Sequence, residues 1–126
     1  MADQGDTDLE KVLDELRDFY TGLVVSYLRL PLPIALPTKI ERFTDVMNAV
    51  LRAYELIDDQ PMQEDALAVL TTTTLYWIAA AELTINFVAH EKELIAHAAL
   101  LNMLAGQGHL SDFIHWTVTG HLPEED

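Results

Sequence analysis

Apolar residues recur along this chain at alternating intervals of three and four, the rhythm of helices that bury one face. The first run is Leu9, Leu13, Leu16, Tyr20, Leu23, Tyr27 and Leu30, widened by Val12, Phe19 and Val24. Thr7-Asp8-Leu9-Glu10 has the form of a capping box, which predicts a helix start at Thr7 behind an acidic tail over residues 1–6. Polar positions thin out after Asp18, so the second half of this helix is expected to be buried more deeply. Gly22 within it permits a close helix crossing.

Leu30-Pro31-Leu32-Pro33-Ile34-Ala35-Leu36-Pro37 ends the run, because its prolines oppose helix and favour an extended path. In an extended chain Leu30, Leu32, Ile34 and Leu36 fall on one side, so the connector is expected to lie across the core. Thr38-Lys39-Ile40-Glu41 reads as a second capping box. Ile40, Phe43, Met47, Val50, Tyr54 and Ile57 then point inward, and Asp45, Asn48, Arg52 and Glu55 form the wet side. Asp58-Asp59-Gln60-Pro61 stops this second helix, with Pro61 expected in the first turn of the third.

From Met62 to Ala105 there is neither glycine nor proline. An unbroken helix there would run about 66 Å, twice the length of its neighbours, so a break is expected. The densest polar point, His90-Glu91-Lys92, is the predicted position, with the β-branched run Thr71 to Thr74 as its rival. Ala66 to Ala89 carries the single charge Glu82 and is expected to be the central helix, with Glu82 buried and paired. Gly106 and Gly108 are expected to close the following helix as left-handed caps. Ser111-Asp112 would then start a short last helix ending at Gly120, ahead of an acidic tail over residues 122–126. The expectation is an all-α fold: one compact four- to five-helix bundle over residues 1–126, with an extended proline-rich connector at residues 30–37.

Composition narrows the function. Half the residues are apolar, which suits a packed core. No cysteine is present, which removes disulfides, thiolate nucleophiles and sulfur-ligated zinc. The N-terminus is polar and acidic, without the basic and apolar regions of a signal peptide, so a soluble, cytoplasmic protein is expected. Seven basic residues stand against 21 acidic ones, a net charge of −14. That balance opposes direct binding to nucleic acid or anionic membrane. It fits a salt-rich cytoplasm, a basic protein partner, or a surface that imitates a polyanion, as small acidic inhibitors do.

The acids cluster. Asp3, Asp6, Asp8, Glu10, Asp14, Glu15 and Asp18 form one group, and Asp58, Asp59, Glu64 and Asp65 a second. These are the candidate partner-binding residues. Glu124, Glu125 and Asp126 extend the acidity, whereas Arg29, Lys39, Arg42 and Arg52 make a mild basic island. The span 66–90 is long enough to cross a bilayer. Glu82 near its centre, four threonines and acidic flanks favour a core helix, so no membrane partner is expected.

A polar line, Asp65, Thr72, Ala79, Glu82, Asn86, His90, Glu93 and His97, steps by about one helical turn. Glu82, His90, Glu93 and His97 make the alternative candidate, a carboxylate–imidazole site for a metal or small ligand. The spacing argues against it. His90 and His97 would lie about 10.5 Å apart along an intact helix, too far to share one ion. Neither Glu-x-x-His nor His-Glu-x-x-His occurs. His109, His115 and His121, six residues apart, share no helical face. The only serines, Ser26 and Ser111, lack a nucleophile-elbow setting, and no glycine loop would cradle phosphate, so neither catalysis nor a cofactor is expected. Tyr76, Trp77, Phe87, Phe113 and Trp116 at helical spacing read as core. The expected function is a non-catalytic protein–protein interaction module, an adaptor or an inhibitor masking a basic nucleic-acid-binding partner. The seams of the first two helices also allow a homodimer.

Overall fold

The computed structural model describes residues 4–39 and 42–123, with side chains of the first helix from Thr7 onward. Four α-helices make up the bundle: α1 (Gln4–Leu28), α2 (Phe43–Leu56), α3 (Glu64–His90) and α4 (Glu93–Thr119), with a 3-10 turn at Ile57–Asp59. The all-α bundle is as expected from the pattern. α3 is its hub, its backbone approaching those of α1, α2 and α4, whereas the α2 backbone comes close to that of α3 alone among the α-helices.

Why α3 stays helical through Thr71–Thr74 is visible in its hydrogen bonds. Thr73 Oγ1 donates to the Val69 carbonyl at 2.7 Å and Thr74 Oγ1 to Leu70 at 2.8 Å. Thr84 does the same to Ala80. Each buried hydroxyl is thus satisfied one turn back, and the methyl group is left to pack. The break comes instead at Glu91, whose φ of 53° is left-handed, and the Glu91 N–H closes the turn on the Phe87 carbonyl. α3 and α4 therefore form an antiparallel hairpin with a two-residue link.

α1 runs antiparallel to α3, its Tyr27 at the level of Thr74 and its Leu16 at the level of Trp77. Val12, Leu16, Phe19, Tyr20, Leu23, Tyr27 and Leu30 are buried, whereas Leu13 is exposed and Leu9 only half-buried. The inward line has rotated toward Val12 and Phe19 because α1 must face two helices, α3 and α4, at once. Burial deepens past Asp18 as expected, with Phe19, Tyr20, Leu23, Ser26, Tyr27 and Leu30 buried, while Val25 and Leu28 on the outer side stay exposed.

The close crossings depend on glycine. A Cβ at Gly22 would strike the Leu110 side chain, and one at Gly106 would strike the Phe19 ring and the Tyr76 Cβ. Gly106 is therefore an interior contact residue of α4 and not a cap. α4 runs unbroken through Gly106, Gly108, Ser111 and Asp112, and the left-handed cap is Gly120 with φ 81°. Gly108, by contrast, has open space where a Cβ would be. A helix-interior glycine costs about 0.5–1 kcal/mol relative to alanine, and at Gly108 no packing inside the chain offsets it.

Other helix boundaries also differ from expectation. α1 already includes Gln4 to Thr7, so Thr7 does not cap it and residues 4–6 are not a tail. Acidic residues in a first turn favour such an early start through the helix dipole. α2 begins at Phe43 behind an extended Arg42 that makes no side-chain cap. Thr38 and Lys39 lie in a bend ahead of it, and Ile40 and Glu41 are outside the described residues. Its buried line is Val46, Val50, Ala53 and Ile57, with Phe43, Met47 and Tyr54 half-buried beside it. Pro61 precedes the extended Gln63 cap of α3 and is not in its first turn.

The connector folds back on α1. The Ile34 N–H donates to the Tyr27 carbonyl at 3.0 Å, and Tyr20 Oη donates to the Pro37 carbonyl at 2.6 Å. Residues 29–32 turn instead of extending, which breaks the alternation and leaves Leu32 exposed while Leu30 and Leu36 are buried. Gln60 compensates for the turn. Its amide donates to the Leu32 carbonyl at 2.7 Å and accepts from the Leu32 N–H at 2.9 Å, pairing like a short piece of strand.

Candidate functional site

The two acidic groups do not form one surface. Leu13 of α1 lies beside Ile85 and Val88 near the C-terminal end of α3, whereas Glu64 and Asp65 open its N-terminus. Glu64 and Val88 are 24 residues apart, which puts the groups about 36 Å apart along the helix axis. Within the first group Asp8 is buried, and Asp14 is held by Arg17 at 2.8 Å. Glu10 and Asp18 are exposed and Glu15 is half-buried. Asp3 and the Asp6 side chain are outside the described residues, as are Glu124, Glu125 and Asp126. In the second group Asp58, Asp59, Glu64 and Asp65 are all exposed, and Asp58 and Glu64 line one surface hollow with Leu67, Ala68, Thr71 and Thr72. The basic residues Arg29, Lys39, Arg42 and Arg52 are exposed too, Arg29 donating to Thr117 Oγ1 at 3.3 Å.

The polar line of the central helices is cut by the turn at Glu91. Glu82 is exposed rather than buried, because it shares the outward side of α3 with Leu75 one heptad earlier. Glu93 and His97 approach to 3.5 Å on the exposed first turns of α4. Glu82 and His90 remain on α3. Among the described residues no three His, Asp or Glu side chains come together as a metal-holding group. Ser26 is buried in the core, and its hydroxyl has no hydrogen-bond partner among the described residues.

Aromatic side chains mostly build the interior. Trp77, Phe87 and Phe113 are buried, Tyr76 stacks on His109 at 5.6 Å between ring centroids, and Trp116 stacks on Phe113 at 5.8 Å. Trp77 has a second role. Because the α1 and α2 backbones do not approach each other closely, an apolar cleft of about 140 Å³ opens between them, lined by Leu13, Leu16, Arg17, Tyr20, Phe43, Val46 and Trp77.

The most unusual surface lies on α4. Among the described elements this helix is covered on one side by α1 and α3, and none lies on the other. Leu94, His97, Leu101, Leu104, Gly108, Ser111, His115 and Val118 follow a three-four spacing over its whole length, and all are exposed. Leu94 is 79% exposed, Leu101 67%, Leu104 70% and Val118 75%. None of these positions holds Asp, Glu, Lys or Arg, in a chain of which 22% is charged. The inward rhythms of the first two helices drew the sequence reading, and the expected stop at Gly106 hid this outer one. Its signal was legible in the heptad spacing of Leu94 and Leu101 and the absence of charge between Leu94 and Ser111.

Among the described residues α3 is the one helix long and apolar enough to cross a membrane. Nine of its residues, including Trp77 and Phe87, are instead buried against the rest of the bundle. No family model, curated protein or solved structure matches the chain.

Proposed function

We propose that the chain is a non-catalytic protein-interaction module that docks through the uncharged outer face of α4. The carrying observation is the exposure of Leu94, Leu101, Leu104 and Val118 along one line of that helix. Burying a leucine or valine is worth about 1.5–3 kcal/mol relative to leaving it in water, so leaving these four exposed forgoes a large stabilisation. Contiguous apolar patches on soluble folds mark interaction surfaces. The net charge of −14 keeps such a chain dispersed until it meets its partner.

A second form of the same reading rests on Asp58, Asp59, Glu64 and Asp65. Their common exposure at one end of α3 supports docking on a basic partner, including one that binds nucleic acid. The two forms respond oppositely to salt, because screening weakens charge-driven contacts and spares apolar ones.

Affinity capture from native lysate at low and high salt separates them. Wild-type chain is compared with L101E/L104E and with D58N/D59N/E64Q/D65N. Capture that survives high salt and is lost in the leucine variant is the expected result. Capture lost with salt and with acid neutralisation would replace the apolar form by the acidic one. A chain that captures nothing under either condition and is also monomeric at every concentration is not an interaction module.

A further inference from the structure

We infer that the face of α4 pairs with the same face of a second copy, the two helices running antiparallel. This rests on the interaction-module reading and names its partner. The face excludes most partners by its chemistry. Its inner line has no Asp, Glu, Lys or Arg to offer a charged surface, and Leu94, Leu101, Leu104 and Val118 wind slowly around α4 as a heptad seam does, which suits another helix. A partner must therefore present an uncharged, apolar helical stripe, and this chain carries one.

The stripe is complementary to itself in one direction. Written as a heptad, its inner positions are Leu94, Leu101, Gly108 and His115 alternating with His97, Leu104, Ser111 and Val118. In an antiparallel pair the first set faces the second. A register centred on Gly106 then sets Leu94 against Val118, Leu104 against Gly108, Leu101 against Ser111 and His97 against His115. Each leucine near the centre meets a small residue, and the terminal Leu94 meets an apolar one. Gly108, which serves no packing inside the chain, becomes the recess that receives the partner's Leu104. A parallel pair would instead oppose Gly108 to Gly108 and leave a void beside stacked leucines.

Charge sets the strength. Two copies at −14 each repel, and this face approaches with no Asp, Glu, Lys or Arg in its inner line. The stripe is about 36 Å long and roughly 10 Å wide, a footprint of about 360 Å² per copy before side chains interdigitate. That size belongs to weak, concentration-dependent association and not to an obligate dimer. The Debye length falls from about 10 Å at 0.1 M salt to about 3 Å at 1 M, so added salt relieves the repulsion. Pairing should therefore tighten with salt, opposite to docking on a basic partner.

The chain has no cysteine, so introduced thiols report geometry without background. Sedimentation equilibrium of the full chain is measured at low and high salt, alongside L101E/L104E. The expected result is a monomer–dimer equilibrium that tightens with salt and weakens roughly a hundredfold in the variant, where charges would enter the apolar seam. Both leucines are exposed, so circular dichroism should report an unchanged fold. Mild oxidation of mixed L94C and V118C proteins should give the mixed disulfide, whose Cα atoms must come within about 7 Å. L94C alone should not cross-link, since its two copies would lie about 36 Å apart. Efficient cross-linking of L94C with itself would overturn the antiparallel arrangement. A wild-type chain monomeric at every concentration and salt would overturn self-pairing altogether. Lysate capture that still depends on Leu101 and Leu104 would then leave the interaction-module reading standing.

Discussion

Replacing Trp77 with alanine should destabilise the bundle by about 3–5 kcal/mol, the range for removing a large buried aromatic side chain. Domains of this size are stable by about 5–15 kcal/mol, so the loss is a large share of the total. The reason is position. Trp77 is 1% exposed, lies 5.4 Å from Tyr20 of α1 and 6.4 Å from Phe43 of α2 between ring centroids, and donates its indole N–H to the Leu16 carbonyl at 3.4 Å. It joins two helices whose backbones do not approach each other closely. Its removal would enlarge the cleft already present between them and leave little able to collapse into the gap. Urea denaturation followed by circular dichroism gives the value. A loss below about 1 kcal/mol, the centre of the distribution for ordinary substitutions, would mean that Trp77 does not join these helices.

Alkaline pH should destabilise the chain through Tyr27. Burial pushes its hydroxyl up to about 12 from the ordinary 10, with Tyr54 adding to the rise and the hydrogen bond with Thr74 opposing it. Burial raises Tyr20 as well. A folded value above the unfolded one means that the protonated form is preferred in the native state. The contribution of Tyr27 is therefore complete below pH 10 and is lost as pH rises toward about 12. A displacement of this size corresponds to about 3 kcal/mol. Denaturant midpoints of the wild-type chain should fall steeply over that window, and those of Tyr27→Phe should fall less. Equal slopes in the two proteins would place the titrating groups elsewhere.

The fold was largely legible because the three-four apolar rhythm marks α1 and α2 as helices that bury one face, although the buried line of each is rotated from the one read in sequence. The turn at Glu91 was legible too, since three consecutive polar residues end a long apolar stretch. Tertiary contacts decided the rest. Gly106 and Gly108 have the form of caps, yet the first is needed for a close approach to Phe19 and Tyr76 and the second serves no contact inside the chain. Glu82 was expected in the core because its neighbours are apolar. The buried line through Ala80, Ala81, Thr84 and Phe87 leaves it facing outward. The candidate residues were less legible. The antiparallel fold separates the two acidic groups, sending the first to one end of α3 and the second to the other. The α4 face was overlooked because an apolar stripe in sequence reads as core, and only the packing of α4 on α1 and α3 reveals which stripe is covered.

The central claim is that the outer face of α4 is an interaction surface covered in the working state. Carbene footprinting of this chain, alone in dilute solution and then at high concentration or in lysate, tests it most directly. Leu94, Leu101, Leu104 and Val118 should label strongly when dilute and become protected together as the partner is supplied, while the exposed Leu51 of α2 labels unchanged. Labelling of the four residues that is the same under all conditions would contradict the claim.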